Sequence, residues 1–120
     1  MRPLLFCALF RENTPEQEEK MNEEKLLQYL KQFCKGKAHT KRSEGIESAV
    51  GISGKELRKL VNRMRRRGVP IGSSRDGYFY AVTAGEVYST IVQLRVMANG
   101  LEAAIAGLEG SLDAFGQGEL

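Results

Sequence analysis

Between Gly54 and Gly68 the chain carries Lys55, Arg58, Lys59, Asn62, Arg63, Arg65, Arg66 and Arg67, against a single acidic residue, Glu56. Guanidinium, ammonium and carboxamide groups donate hydrogen bonds and hold charge near neutral pH. That equips them to recognise phosphates and base edges rather than to make or break bonds. At 100° per residue, Leu57, Leu60, Val61 and Met64 form one apolar face. Lys55, Lys59, Asn62 and Arg66 fall opposite it, with Arg58, Arg63 and Arg65 on the flanks. A surface helix of ordinary composition interleaves glutamates for i,i+4 pairing, and the outward face here has none. Ser53, at the helix start, can meet a phosphate together with the first-turn amides. Lys41, Arg42, Arg63, Arg65 and Arg75 would neutralise further phosphates, which supplies affinity without sequence information. Asn62 has the groups to pair bidentately with adenine, and Arg58 or Lys59 can address guanine. Arg65, Arg66 and Arg67 also suit the last turn of any helix, where cations favour the dipole.

Catalytic constellations are missing from the sequence. Cys7 and Cys34 lie 27 residues apart, and His39 is the sole histidine, so a structural zinc set of four ligands is not available. There is no Gly-rich phosphate loop, no clustered carboxylate pair and no nucleophile beside a histidine. The expectation is a non-enzyme without cofactor or metal. Cys34, among the apolar positions of a helix, reads as a reduced core thiol, which implies a cytosolic setting. His39 reads as a loop residue near a phosphate.

Charge is segregated along the chain. Residues 1–30 carry a net −2, residues 31–75 a net +10 from thirteen basic and three acidic side chains, and residues 76–120 a net −5. A confined excess creates a local positive potential that attracts polyanions, which the overall +3 conceals. The length of 120 residues bounds the fold to one small domain with an extension. No unbroken apolar run approaches the roughly 20 residues of a membrane span, and no membrane partner is expected. The apolar opening, Leu4 to Phe10, is short and runs into charge rather than a small-residue cleavage site, which argues against export.

These residues need a scaffold, and the punctuation of the sequence supplies one. Thr14-Pro15-Glu16-Gln17 is a capping box, and Asn22 is an alternative helix start, just after Met21, a candidate later initiation point. Met21, Leu26, Leu27, Leu30, Phe33 and Cys34 then make a helical stripe ending near Gly36. Residues 37–42 are basic and irregular, with room for one short strand. Ser43 can cap a second helix through Ile46, Ala49 and Val50 to Gly51. Ser53 and Glu56 form a capping box for the third helix, which Gly68 ends. Two strands, Val69 to Ser74 and Tyr78 to Val82, flank Arg75-Asp76-Gly77, and Tyr78 and Tyr80 read as core.

Thr83-Ala84-Gly85-Glu86 caps a last, long helix. Val87, Ile91, Leu94, Ala98, Leu101, Ile105, Leu108, Leu112 and Phe115 recur at alternating spacings of four and three. That is a heptad seam, and it predicts a homodimer through this helix. Leucine at one seam position and isoleucine at the other favour two strands if they run parallel, but the pattern leaves orientation open. Asn99-Gly100 offers the alternative of a turn and two shorter helices packed within one chain. The organisation read from sequence is an N-terminal extension over 1–21, a DNA-binding domain over 22–83, and a dimerisation helix over 84–120.

The segment 24–83 resembles winged helix-turn-helix domains, in particular the N-terminal domain of the biotin repressor type. The residues that carry it are Val50-Gly51-Ile52-Ser53 at the turn, Leu57, Val61 and Met64, then Gly68, Ile71, Ser73 and Gly77-Tyr78. The resemblance implies a mainly α fold with a small β-hairpin wing (α+β), the third helix entering the major groove and the wing touching the backbone or minor groove. Lys55, Arg58, Lys59 and Asn62 would then read or flank base edges, with Arg75 as the wing contact. Gly54 departs from the arginine common there in the family, and a heptad segment follows instead of a ligase domain, so no biotin chemistry is implied. Small proteins of this layout are similar to regulators and accessory factors of bacteria and phages. The expected function is double-stranded DNA binding in the cytoplasm at the nucleoid; the alternative is a protein-binding winged module meeting an acidic partner.

Overall fold

A computed structural model describes residues 14–116. Thr14 Oγ1 accepts from the Gln17 amide and Gln17 Oε1 accepts from the Thr14 amide, both at 3.1 Å. This reciprocal cap starts α1, Pro15–Phe33, at the first of the two sites the sequence offered. Met21, the end of the expected extension, therefore lies inside α1. Residues 1–13, with Cys7, and residues 117–120 lie outside the described residues.

After a 3-10 turn, Lys37–His39, come α2, Ser43–Val50, and α3, Gly54–Arg66. Ser43 is not the cap of α2: Arg42 holds that position, and the Ser43 hydroxyl donates to Glu47 Oε2 at 2.7 Å. Ala49 is exposed, so α2 buries only Ile46 and Val50. Gly51 ends the helix in the left-handed conformation at φ 83°. Ser53 Oγ accepts from the Glu56 amide at 3.1 Å, but the return arm of the expected box is absent. The Glu56 carboxylate instead accepts from Asn22 Nδ2 on α1 at 3.3 Å.

The chain then forms an antiparallel hairpin of β1, Ile71–Ser74, and β2, Gly77–Tyr80, with Ser74 paired to Gly77 across the Arg75-Asp76 turn. Of the expected strand residues, 69–70 and 81–82 stay outside the ladder. The free edge of β2 is covered by the segment before α2. Lys41 and Tyr78 exchange backbone hydrogen bonds at 3.1 and 3.0 Å, and Tyr80 bonds Cys34 and Gly36 at 2.7 Å each. The contact is so close that a Cβ on Gly77, at φ 133°, would sit 1.8 Å from the Lys41 carbonyl oxygen. The short strand allowed for residues 37–42 is thus realised as a single bridge at Lys41.

Leu26, Leu30, Ile46, Leu57, Leu60, Met64 and Phe79 fill one core between the three helices and the hairpin. Cys34 is fully buried there as a free thiol, and burial pushes its pKa up, keeping it protonated. Tyr78 and Tyr80 are half-buried against it.

The last element, α4, runs unbroken over Ala84–Ser111 and ends in a 3-10 turn, Leu112–Phe115. Asn99 and Gly100 lie within it, so no turn folds it back on itself. Its first turns are clamped to the domain. Glu86 accepts from the Val82 amide at 2.8 Å and the Lys37 amide at 3.0 Å, which lower its pKa. Val87 packs on the core, and the Ser73 amide donates to buried Thr90 Oγ1. Beyond Thr90 every described residue of α4 is exposed. The radius of gyration is 20.3 Å, against about 14 Å for a compact chain of this length. By length and composition, Ala84–Phe115 is long and apolar enough to cross a bilayer. The contrary expectation counted unbroken apolar runs. Arg95, Glu102 and Glu109 interrupt those runs yet are spaced widely enough to leave the average apolar.

Candidate nucleic-acid interface

The cations of α3 divide into two rows with different environments. The inner row, Lys59, Arg63 and Arg67, steps by four residues, as do Glu19 and Glu23 on α1. The rows interlock. Glu19 takes Lys59 at 3.4 Å and Arg63 at 2.5 Å, and Glu23 takes Arg63 at 3.6 Å and is also bonded by Arg67. Glu23 is almost fully buried beneath this ladder. The hydrogen bond from Arg63 is the main reason the Glu19 carboxyl is held down at about 2. Of the side chains expected on DNA, Arg63 is therefore committed to the α1–α3 contact, and Lys59 shares its Glu19 partner. Arg63 is only 28% exposed, whereas Lys59 keeps 62% of its side chain in solvent and has one partner among the described residues. Complementary i,i+4 rows on two helices were the signal in the sequence for this ladder.

Arg65 is also turned inward. Its Nε donates to the Ile71 carbonyl at 2.8 Å, its guanidinium lies 5.9 Å from the centre of the Tyr78 ring, and burial pushes its pKa down. Its Nη2 is buried with no hydrogen-bond partner among the described residues. Arg65 thus joins α3 to the hairpin rather than facing solvent as a phosphate ligand.

The outer row is different. Lys55, Arg58, Asn62 and Arg66 are exposed, and none has a side-chain hydrogen bond or ion pair among the described residues. Arg58 lines an open groove of about 430 Å³ together with Arg42, Arg65, Ser73, Ser74 and Arg75. Three elements build that groove: the flank of α3, the residue that caps α2, and the hairpin tip. Glu44 and Asp76 also reach it, so it is cationic with two acidic margins. Leu94 and Met97 of α4 close its far end. Lys41 is exposed, and its backbone is used in the bridge to Tyr78. Ser53, exposed at the start of α3, already accepts one hydrogen bond as a cap and retains its O–H as a donor. His39 sits in the 3-10 turn, with Nδ1 donating to the Lys35 carbonyl at 2.9 Å.

The arrangement offers arginines from three elements, and backbone and hydroxyl groups at a hairpin tip, to an extended anion. Among the described residues no group of histidine, cysteine and carboxylate side chains could hold a metal ion. No family model, curated protein or solved structure matches this chain.

Proposed function

We propose that residues 15–83 form a winged helix-turn-helix domain that binds double-stranded DNA. In this reading α2, the Gly51-Ile52-Ser53 turn and α3 are the helix-turn-helix, and β1–β2 is the wing. α3 enters the major groove by its outer row. Asn62 and Arg58 are its base-edge contacts, while Lys55, Arg66 and the more loosely held Lys59 neutralise phosphates. Arg42, Lys41 and the wing residue Arg75 engage the flanking backbone.

The observation that carries this reading is the division of α3's cations. Those facing the domain are bonded to Glu19, Glu23 and the Ile71 carbonyl. Those facing out remain unpaired among the described residues, and one of them, Arg58, shares a groove with Arg42 and Arg75. A helix decorated with charge for solubility alone would not be expected to sort its cations in this way.

The test is fluorescence anisotropy of a random-sequence duplex at several salt concentrations, using wild type and Arg58→Glu/Arg75→Glu. Both substituted residues lie outside the ion ladder, so the variant should fold normally. Expected are micromolar or tighter binding and a negative salt slope that the variant flattens by about 1, through the lost Arg75 phosphate contact. Absence of binding at low salt, or binding indifferent to the variant, would sink the reading and favour an acidic protein partner.

A further inference from the structure

The long helix leaves an apolar seam uncovered, and its charges indicate what covers it. With Ile91, Ala98, Ile105 and Leu112 at one seam position, and Leu94, Leu101 and Leu108 at the other, the flanking residues follow from the heptad. On one side of the seam stand Tyr88, Arg95, Glu102 and Glu109, and on the other Thr90, Met97, Ala104 and Ser111. Gly100, Gly107 and Gly110 all fall on the outward face, with open space around them. The helix-weakening residues are thus kept out of the seam.

We infer that α4 pairs with α4 of a second copy of this chain, antiparallel, with Ala98 opposite the partner's Leu101. The same register sets Leu94 against the partner's Ile105, Ile91 against the partner's Leu108 and Val87 against the partner's Leu112. Every seam residue from 87 to 112 then has a partner. In an antiparallel pair like flanks face each other, so Arg95 meets the partner's Glu102 on one half and Glu102 meets the partner's Arg95 on the other. A parallel pair would set Met97 near the partner's Glu102 and Ala104 near the partner's Glu109, with no opposite charges matched.

Burial along the helix points the same way. Ile91 and Leu94 are each 38% exposed because they border the hairpin, whereas Leu101 and Leu108 are 67% and 70% exposed. An open apolar groove of about 270 Å³ runs between α4 and the hairpin base, lined by Val69, Pro70, Ile71, Val87, Ile91 and Leu94. Antiparallel pairing lays the bare end of one helix along this groove of the other. Parallel pairing would bring both domains to the same level and leave both grooves competing for one space. A bilayer is the less favourable cover, since Arg95, Glu102 and Glu109 would enter hydrocarbon without opposite charges beside them. The dimer follows from the helix itself and does not depend on the DNA-binding reading. At 1.5 Å per residue it places the two starts of α4 about 46 Å apart along the seam.

Sedimentation equilibrium of the full chain tests the register through charge exchange. Wild type is expected to dimerise at micromolar concentration, and Arg95→Glu or Glu102→Arg alone to weaken the dimer about tenfold. The double exchange should restore it to within a few-fold of wild type. Among the described residues the exposed side chains of Arg95 and Glu102 make no hydrogen bond or ion pair, so helicity by circular dichroism should be equal in all four proteins. A monomer at tens of micromolar would overturn the inference, and flotation of that monomer with anionic vesicles would assign the seam to a bilayer. A dimer indifferent to the single exchanges, or not rescued by the double one, would overturn the antiparallel register.

Discussion

The backbone amide of Ser73 donates to Thr90 Oγ1 at 3.1 Å, so the hairpin and the long helix share a hydrogen bond across the groove at the hairpin base. Thr90 is 5% exposed, which leaves little water to replace its hydroxyl. Thr90→Val keeps the shape and removes the acceptor. It should cost about 1–3 kcal/mol, the penalty for stranding a buried amide. Thermal unfolding would register the loss, and hydrogen exchange at Ser73 should accelerate. Thr90→Ser should recover both.

The α1–α3 ladder should impose an acid limb on stability. Glu19 is lowered from 4.5 to about 2, chiefly by the hydrogen bond from Arg63. A carboxylate with a depressed folded pKa contributes stability above its unfolded value and loses it as pH falls through the folded one. The stability gap between wild type and Glu19→Gln should be full at pH 6 and shrink between about 4.5 and about 2. Urea midpoints across that range would measure it, and a gap constant down to pH 2 would contradict the ladder.

Gly77 should tolerate no side chain. Its φ of 133° and the Lys41 carbonyl at 1.8 Å from an ideal Cβ leave neither the conformation nor the space. Gly77→Ala should lower stability by at least about 2–3 kcal/mol, read from the denaturant midpoint. The amides of Lys41 and Tyr78 should lose exchange protection together, because they bond each other's residue. An unchanged midpoint would mean that the segment before α2 does not cover β2.

Local signals carried most of the fold. Thr14, Ser53 and Thr83 act as caps, Gly51 and Gly68 mark helix ends, and Asp76-Gly77 marks the hairpin, because each depends on a few neighbouring atoms. The misreadings arose where a distant partner intervened. Ser43 was free to cap by local rules, but Glu47 draws its hydroxyl. Arg63 looked solvated because its carboxylates lie about 40 residues away on α1. Arg65 stands on the helix flank, yet the returning β1 strand buries it. Asn99-Gly100 has the composition of a turn, yet α4 runs through it unbroken. The exposure of the outer row was readable from helical angle alone, whereas the inward turn of Arg63 needed the packing of α1 and that of Arg65 the return of β1.

The clamp at the base of α4 has a mechanical corollary. Glu86 ties it to Lys37 and Thr90 ties it to Ser73, both within its first two turns. From Thr90 to Ser111 the helix extends about 32 Å at 1.5 Å per residue. A tilt of about 10° at the clamp therefore swings the tip by roughly 5 Å over that arm. Small rearrangements at the hairpin are amplified at the far end, and a load on the tip is returned, with leverage, to the two hydrogen bonds at the base.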